Sequence, residues 1–152
     1  MRRSLNRSAV NRASHLVWNA FIDLLAMENY EDLGPIQRVA HLAFWYDSEV
    51  RNGGHYQYFE NPAGKRRHEA IEALLALGLH CQAAVLRQAT VFWDSEDRKP
   101  PVSVDEFAEN ALEGEFAELD STYYACSPTI TDRLEAYLAE HQDEFVVIDE
   151  TA

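Results

Sequence analysis

The sequence predicts an all-α protein, a single compact domain of about six or seven helices, on three observations. Apolar residues recur at three- and four-residue steps through most of the chain. No stretch alternates apolar and polar residues for long enough to build a central sheet. Glycines and prolines stand mainly between the periodic stretches, with the pair Gly53-Gly54 the sharpest punctuation.

The elements follow in order. Residues 1–7 carry Arg2, Arg3 and Arg7 with little that is apolar, and are expected to be a loose basic arm ahead of a helical domain over 8–145. Val10, Ala13, Val17, Phe21, Leu24 and Leu25 share one face of a first helix ending near Asn29. Gly34-Pro35 stops and restarts the chain, because Pro is accepted at the first helical position. The second helix presents Ile36, Val39, Ala40, Ala43, Phe44 and Tyr46 and ends near Arg51 at Asn52-Gly53-Gly54. Glycine inside a helix costs about 1 kcal/mol relative to alanine and readily takes positive φ, so a break followed by a short aromatic turn is expected.

After Pro62, Ala70, Ile71, Leu74, Leu75 and Leu77 have helical spacing, and Gly78 suits the position just past a helix end. The stretch 79–93 repeats the pattern with Ala83, Val85, Leu86, Ala89 and Phe92, which makes an antiparallel helix pair. A polar connection with Pro100 and Pro101 follows. Ser103 and Glu106 then form an S-x-x-E capping box opening a helix through Phe107, Ala111 and Leu112. Gly114 kinks it ahead of Phe116, Leu119 and Tyr123. Ser127-Pro128 caps the last helix, whose apolar face is Ile130, Leu134, Tyr137, Leu138 and Phe145; residues 146–152 form an extended C-terminal tail.

The formal charge is −13, and it is concentrated: residues 1–93 carry a net +1 and residues 94–152 a net −14. Such a surface repels nucleic acid and attracts basic partners. No apolar run approaches the roughly 20 residues of a membrane span, and no secretory leader is evident, so a cytoplasmic protein is expected. Cys81 and Cys126 lack C-x-x-C spacing and are expected to be reduced thiols. None of the six histidines has metal-ligand spacing, and there is no phosphate loop, dinucleotide fingerprint or G-x-S-x-G. The expectation is a protein that is no enzyme and takes no cofactor and no metal.

Two residue sets remain. Glu49, Asn52, Gln57, Tyr58 and Asn61 are close enough in sequence to converge around Gly53-Gly54, as a small-molecule or enzymatic pocket or as partners for the unpaired groups of a broken helix end. Phe59 and the tyrosines read as core. The second set is acidic. Asp105, Glu106, Glu109 and Glu113 share one helical face, Glu115, Glu118 and Asp120 continue the run, and Asp132, Glu135 and Glu140 lie on the last helix. A row of carboxylates at such steps imitates the charge repeat of a nucleic-acid backbone.

The run Glu49, Asn52, Gly53, Gly54, Gln57, Tyr58, Phe59, Asn61 resembles the E-x-x-N-G-G-x-x-Q-Y-F-x-N motif of the bacterial family named after DNA mimic protein nineteen. The likeness extends from about Leu16 to Phe145, with His55 where the family commonly has Phe and Pro62 where a small polar residue is usual. The resemblance implies an all-helical fold and an acidic, DNA-like protein, acting as a dimer, that occupies the DNA-binding face of a basic partner such as a transcription regulator or nucleoid protein. An immunity-like inhibitor of a nuclease is the neighbouring alternative.

Overall fold

The computed structural model describes residues 1–95, 114 and 116–150. It is all-α as the sequence predicts. Among the described residues there are seven α-helices and one short pair of strands. The chain runs β1 (Arg3–Asn6), α1 (Arg7–Arg12), α2 (His15–Met27), a 3-10 turn (Tyr30–Asp32), α3 (Pro35–Glu60) and a second 3-10 turn (Pro62–Arg66). It continues through α4 (Arg67–Ala76), α5 (His80–Trp93), α6 (Ala117–Ala125), α7 (Ile130–Phe145) and β2 (Val146–Asp149). Among the described residues no helix is long and apolar enough to cross a membrane.

Helix α3 is the axis on which α2, α4, α6 and α7 pack. Its start is held by Gln37, whose Oε1 accepts from the Gly34 N–H at 3.0 Å and whose amide donates to the carbonyls of Glu144, at 2.7 Å, and Met1. One buried side chain thus ties the first turn of α3 to both ends of the chain. Buried Phe21, Leu24, Ala40, Ala43, Tyr46, Leu74, Leu86, Leu134 and Phe145 form one continuous core. Burying a Leu or Phe side chain stabilises by roughly 1.5–3 kcal/mol, so the apolar faces read from the sequence are what hold these helices together.

Several expectations are corrected. The first helix is two, parted at Ala13 (φ −148, ψ 85). The basic arm is not loose: residues 3–6 pair in parallel with the tail, Arg3 opposite Val146 through Asn6 opposite Asp149. Its arginines are held as well, Arg3 by Asp23 and Glu28 at 2.8 Å each and Arg7 by Glu150 at 2.7 Å. Residues 56–60 are helical rather than a turn, forming the last part of α3. The last helix is capped by Thr129, not by Ser127-Pro128: Thr129 Oγ1 accepts from the Asp132 N–H at 3.1 Å and the Asp132 carboxylate accepts from the Thr129 N–H at 3.2 Å. The capping box at Ser103 and Glu106 and the apolar positions Phe107, Ala111 and Leu112 lie outside the described residues.

The cysteines are not free. Cys81 and Cys126 form a disulfide across 45 positions of sequence. The turn at Gly78 (φ +75) sends α5 back along α4 and brings its first turn against the α6–α7 junction. That contact is tertiary, so residue spacing gave no sign of it.

Candidate functional site

The helix break falls where the glycines are. Gly53 (φ −152, ψ 21) and Gly54 (φ 74, ψ −177) both leave the helical region, and only glycine takes the second conformation without strain. A side chain at Gly54 would also meet Asp120, whose Oδ2 lies 2.6 Å from the place of a Cβ. The helix that resumes at His55 begins with N–H groups that have no carbonyl one turn back. Asp120 of α6 supplies the acceptor: its Oδ1 takes the His55 backbone N–H at 2.9 Å and the ring Nδ1 at 2.6 Å. On the other side of the ring, Nε2 lies 2.7 Å from the Tyr46 hydroxyl. Each proton finds an acceptor when Nδ1–H donates to Asp120 and Tyr46 O–H donates to Nε2.

This Asp120–His55–Tyr46 chain has the connectivity of a proton relay but not the access of one. His55 and Tyr46 are 0% exposed, and burial pushes the Tyr46 hydroxyl pKa well above its ordinary value. It is a clamp joining α3 to α6. A second hydroxyl supports it: Tyr123 donates to Asp47, which also holds Arg51 at 2.9 Å.

Glu49 staples the break from the opposite direction. Its Oε2 accepts from the side-chain amides of Gln57 at 3.0 Å and Asn61 at 2.6 Å, linking the helix before the glycines to the helix after them. The partners of these motif residues are therefore one another, not the unpaired backbone groups of a helix end. Asn52 is exposed and its side chain makes no hydrogen bond among the described residues, and Tyr58 and Phe59 are buried in the core. Gln57→Ala and Asn61→Ala are each expected to cost about 1.5–3 kcal/mol, the range for a hydrogen bond to a charged group. Asn52→Ala stays within about 0.5 kcal/mol of wild type, as surface substitutions do. Thermal melts of the three variants check the ranking.

A cleft of about 530 Å³ lies beside this joint. Its floor is one face of α3, with His41, Trp45 and Glu49 at four-residue steps; its walls are the end of α2 with Tyr30 on one side and Pro62, Lys65 and Arg66 on the other. Arg66 closes one end, 3.8 Å over the Tyr30 ring and paired with Glu31. Of the motif residues only Glu49 lines the cleft. His41, Trp45, Lys65 and Arg66 were missed from sequence; the i, i+4, i+8 spacing of half-buried polar and aromatic residues on α3 was the signal available.

His41 Nδ1 is buried without a hydrogen-bond partner among the described residues. Burial, the leading cause, lowers the His41 pKa below 6.5. The unfolded chain therefore takes up a proton at this position before the folded chain does. The His41 contribution to stability is constant above about pH 6.5 and declines as pH falls from there towards the folded pKa. His41→Gln is expected to flatten that part of the profile, read as melting temperature between neutral and mildly acidic pH.

The acidic set divides. Asp105, Glu106, Glu109, Glu113 and Glu115 lie outside the described residues. Asp120 is turned inward onto His55, and Asp132 is engaged in the α7 cap. Glu118, Glu135 and Glu140 are exposed, and Asp143 and Glu144 extend the row on α7. Arg133 is the single arginine or lysine of α7.

A profile of DMP19-like proteins matches residues 31–141, nearly three quarters of the chain. The chain belongs to the DMP19-like family. That match runs from the 3-10 turn after Tyr30 to the kink of α7 at His141, so it takes in the glycine break, the floor and one wall of the cleft and most of the acidic row. No curated protein and no solved structure matches the chain. In this DMP19-like protein Asp120 of α6 clamps His55, the first residue after the glycine break.

Proposed function

We propose that this DMP19-like protein is a binding protein rather than a catalyst, and that its acidic face imitates nucleic acid towards the DNA-binding surface of a basic partner such as a transcription regulator. The observation that carries the reading is the α7 row. Asp132, Glu135, Glu140, Asp143 and Glu144 are all exposed, and Glu135, Asp143 and Glu144 have no cation partner among the described residues. At 1.5 Å per residue these five carboxylates span about 18 Å of helix. They belong to a stretch that carries a net −14 beside a remainder that is nearly neutral. The Asp120–His55–Tyr46 chain supports the reading of a binding protein, since its His55 and Tyr46 are fully buried and it meets solvent at Asp120 alone. The proposal places the protein in the cytoplasm, where such regulators act.

The test is displacement of labelled duplex DNA from purified DNA-binding regulators of the same cell, followed by fluorescence anisotropy at several salt concentrations. The expected result is displacement from at least one regulator that weakens steeply with salt. The Glu135→Lys, Glu140→Lys, Glu144→Lys variant, correctly folded by circular dichroism, should lose it by at least about tenfold. Equal displacement by that variant removes α7 from the interface; no displacement from any regulator overturns the reading.

A further inference from the structure

The charges around the cleft beside the glycine break do not all cancel. Glu28 is paired with Arg3 at 2.8 Å, and Glu31 with Arg66. Burial holds the His41 ring towards its neutral form. Two lining groups then stand without an ionic partner among the described residues. Glu49 is half-buried in the floor, its Oε2 engaged by two neutral amides and its Oε1 by nothing among the described residues. Lys65 is exposed at the rim.

The surroundings of Glu49 are tied by hydrogen bonds. Gln57 and Asn61 fix the carboxylate from behind. Trp45 lies one helical turn away on the same face, and its indole N–H is tied to the Leu25 carbonyl at 3.0 Å. A carboxylate held by neutral donors beside an aromatic ring attracts an organic cation twice, through its charge and through the ring face. Ala26, Met27, Leu42 and Pro62 supply apolar wall for the body of such a ligand, and about 530 Å³ lies within the range of small-molecule sites.

We propose that this cleft is a binding site for a small organic ammonium compound, its cation seated on Glu49 and its hydrocarbon body against Trp45. Two sources share that chemistry: a simple amine, and an amino acid whose carboxylate reaches Lys65. The site is separate from the acidic face of α7, so it stands whether or not that face binds a regulator.

Calorimetric titration of the full chain with phenethylamine, phenylalanine and benzoate tests it. Saturable binding of phenethylamine or phenylalanine, with benzoate inert, is the expected result. Glu49→Gln keeps the shape of the staple and removes the charge, and should weaken binding by at least about tenfold. Lys65→Glu alters only an exposed side chain, and so remains informative if the Glu49 variant folds poorly. It should tighten phenethylamine about two- to fivefold if the ligand is a simple amine, or abolish phenylalanine binding if it is an amino acid. No saturation by either cation up to about 10 mM overturns the proposal. So does binding that benzoate matches, or binding that neither substitution changes.

Discussion

Replacing Cys81 and Cys126 together by alanine lowers the stability of the fold by about 4 kcal/mol. The two residues are 45 apart, and closing a ring of that size removes about 13 cal/mol/K of chain entropy from the unfolded state. The bridge holds the start of α5 to the end of α6, next to the start of α7. Chemical denaturation of the wild type with and without a thiol reductant makes the same comparison without substitution, since Cys81 is exposed and open to exchange while Cys126 is buried. The reduced wild type and the double variant should share one midpoint. A difference below about 1 kcal/mol between oxidised and reduced protein shows that the bridge does not constrain the unfolded chain in the way proposed.

Breaking the His55–Asp120 pair is expected to cost about 3 kcal/mol. His55→Phe keeps an aromatic ring at this position, yet it is predicted to destabilise. It strands the Asp120 carboxylate and leaves the buried Tyr46 hydroxyl without an acceptor. Asp120→Ala strands the His55 ring and also removes the acceptor from the first N–H after the break. Asp120 keeps 24% of its side chain exposed, which places the cost at the lower end for a buried pair. The double variant should be less destabilised than the sum of the two, by about 1–2 kcal/mol, because the second change removes a group the first has stranded. Additive losses in urea titrations would show that the two residues act separately.

Much of the fold was legible in the sequence. Three- and four-residue apolar spacing gave the faces of α2, α4, α5 and α7, because burial of one stripe is what stabilises a helix in water. Gly34-Pro35 and Gly78 marked real boundaries, and Gly53-Gly54 marked a real break. The departures have local causes. A stretch of three tyrosines and phenylalanines after the glycines reads as a turn only until a core is there to receive it; packed against Trp93 and Phe116, Phe59 is drawn into a helix. The basic arm reads as loose because its partners, Val146 to Asp149 and Glu150, come at the far end of the chain.

The site was legible in part. Glu49, Gln57 and Asn61 do converge, but on one another, and the concavity beside them is lined by residues of four separate segments. A row of exposed carboxylates on the last helix was readable from spacing. The inward turn of Asp120 was not, because it depends on which helix lies opposite the break.

By itself, then, the sequence determined the helical class, the positions of most apolar faces, the break at Gly53-Gly54 and the acidic C-terminal third; each of these follows from covalent geometry, from the period of burial or from a sum of charges. Tertiary structure alone decided that Cys81 meets Cys126, that residues 3–6 form a strand with 146–149, that Asp120 serves as a clamp rather than as surface charge, and that Glu49 faces a cleft. Those outcomes rest on contacts between residues tens of positions apart, and no local propensity encodes which distant side chain arrives at a given place.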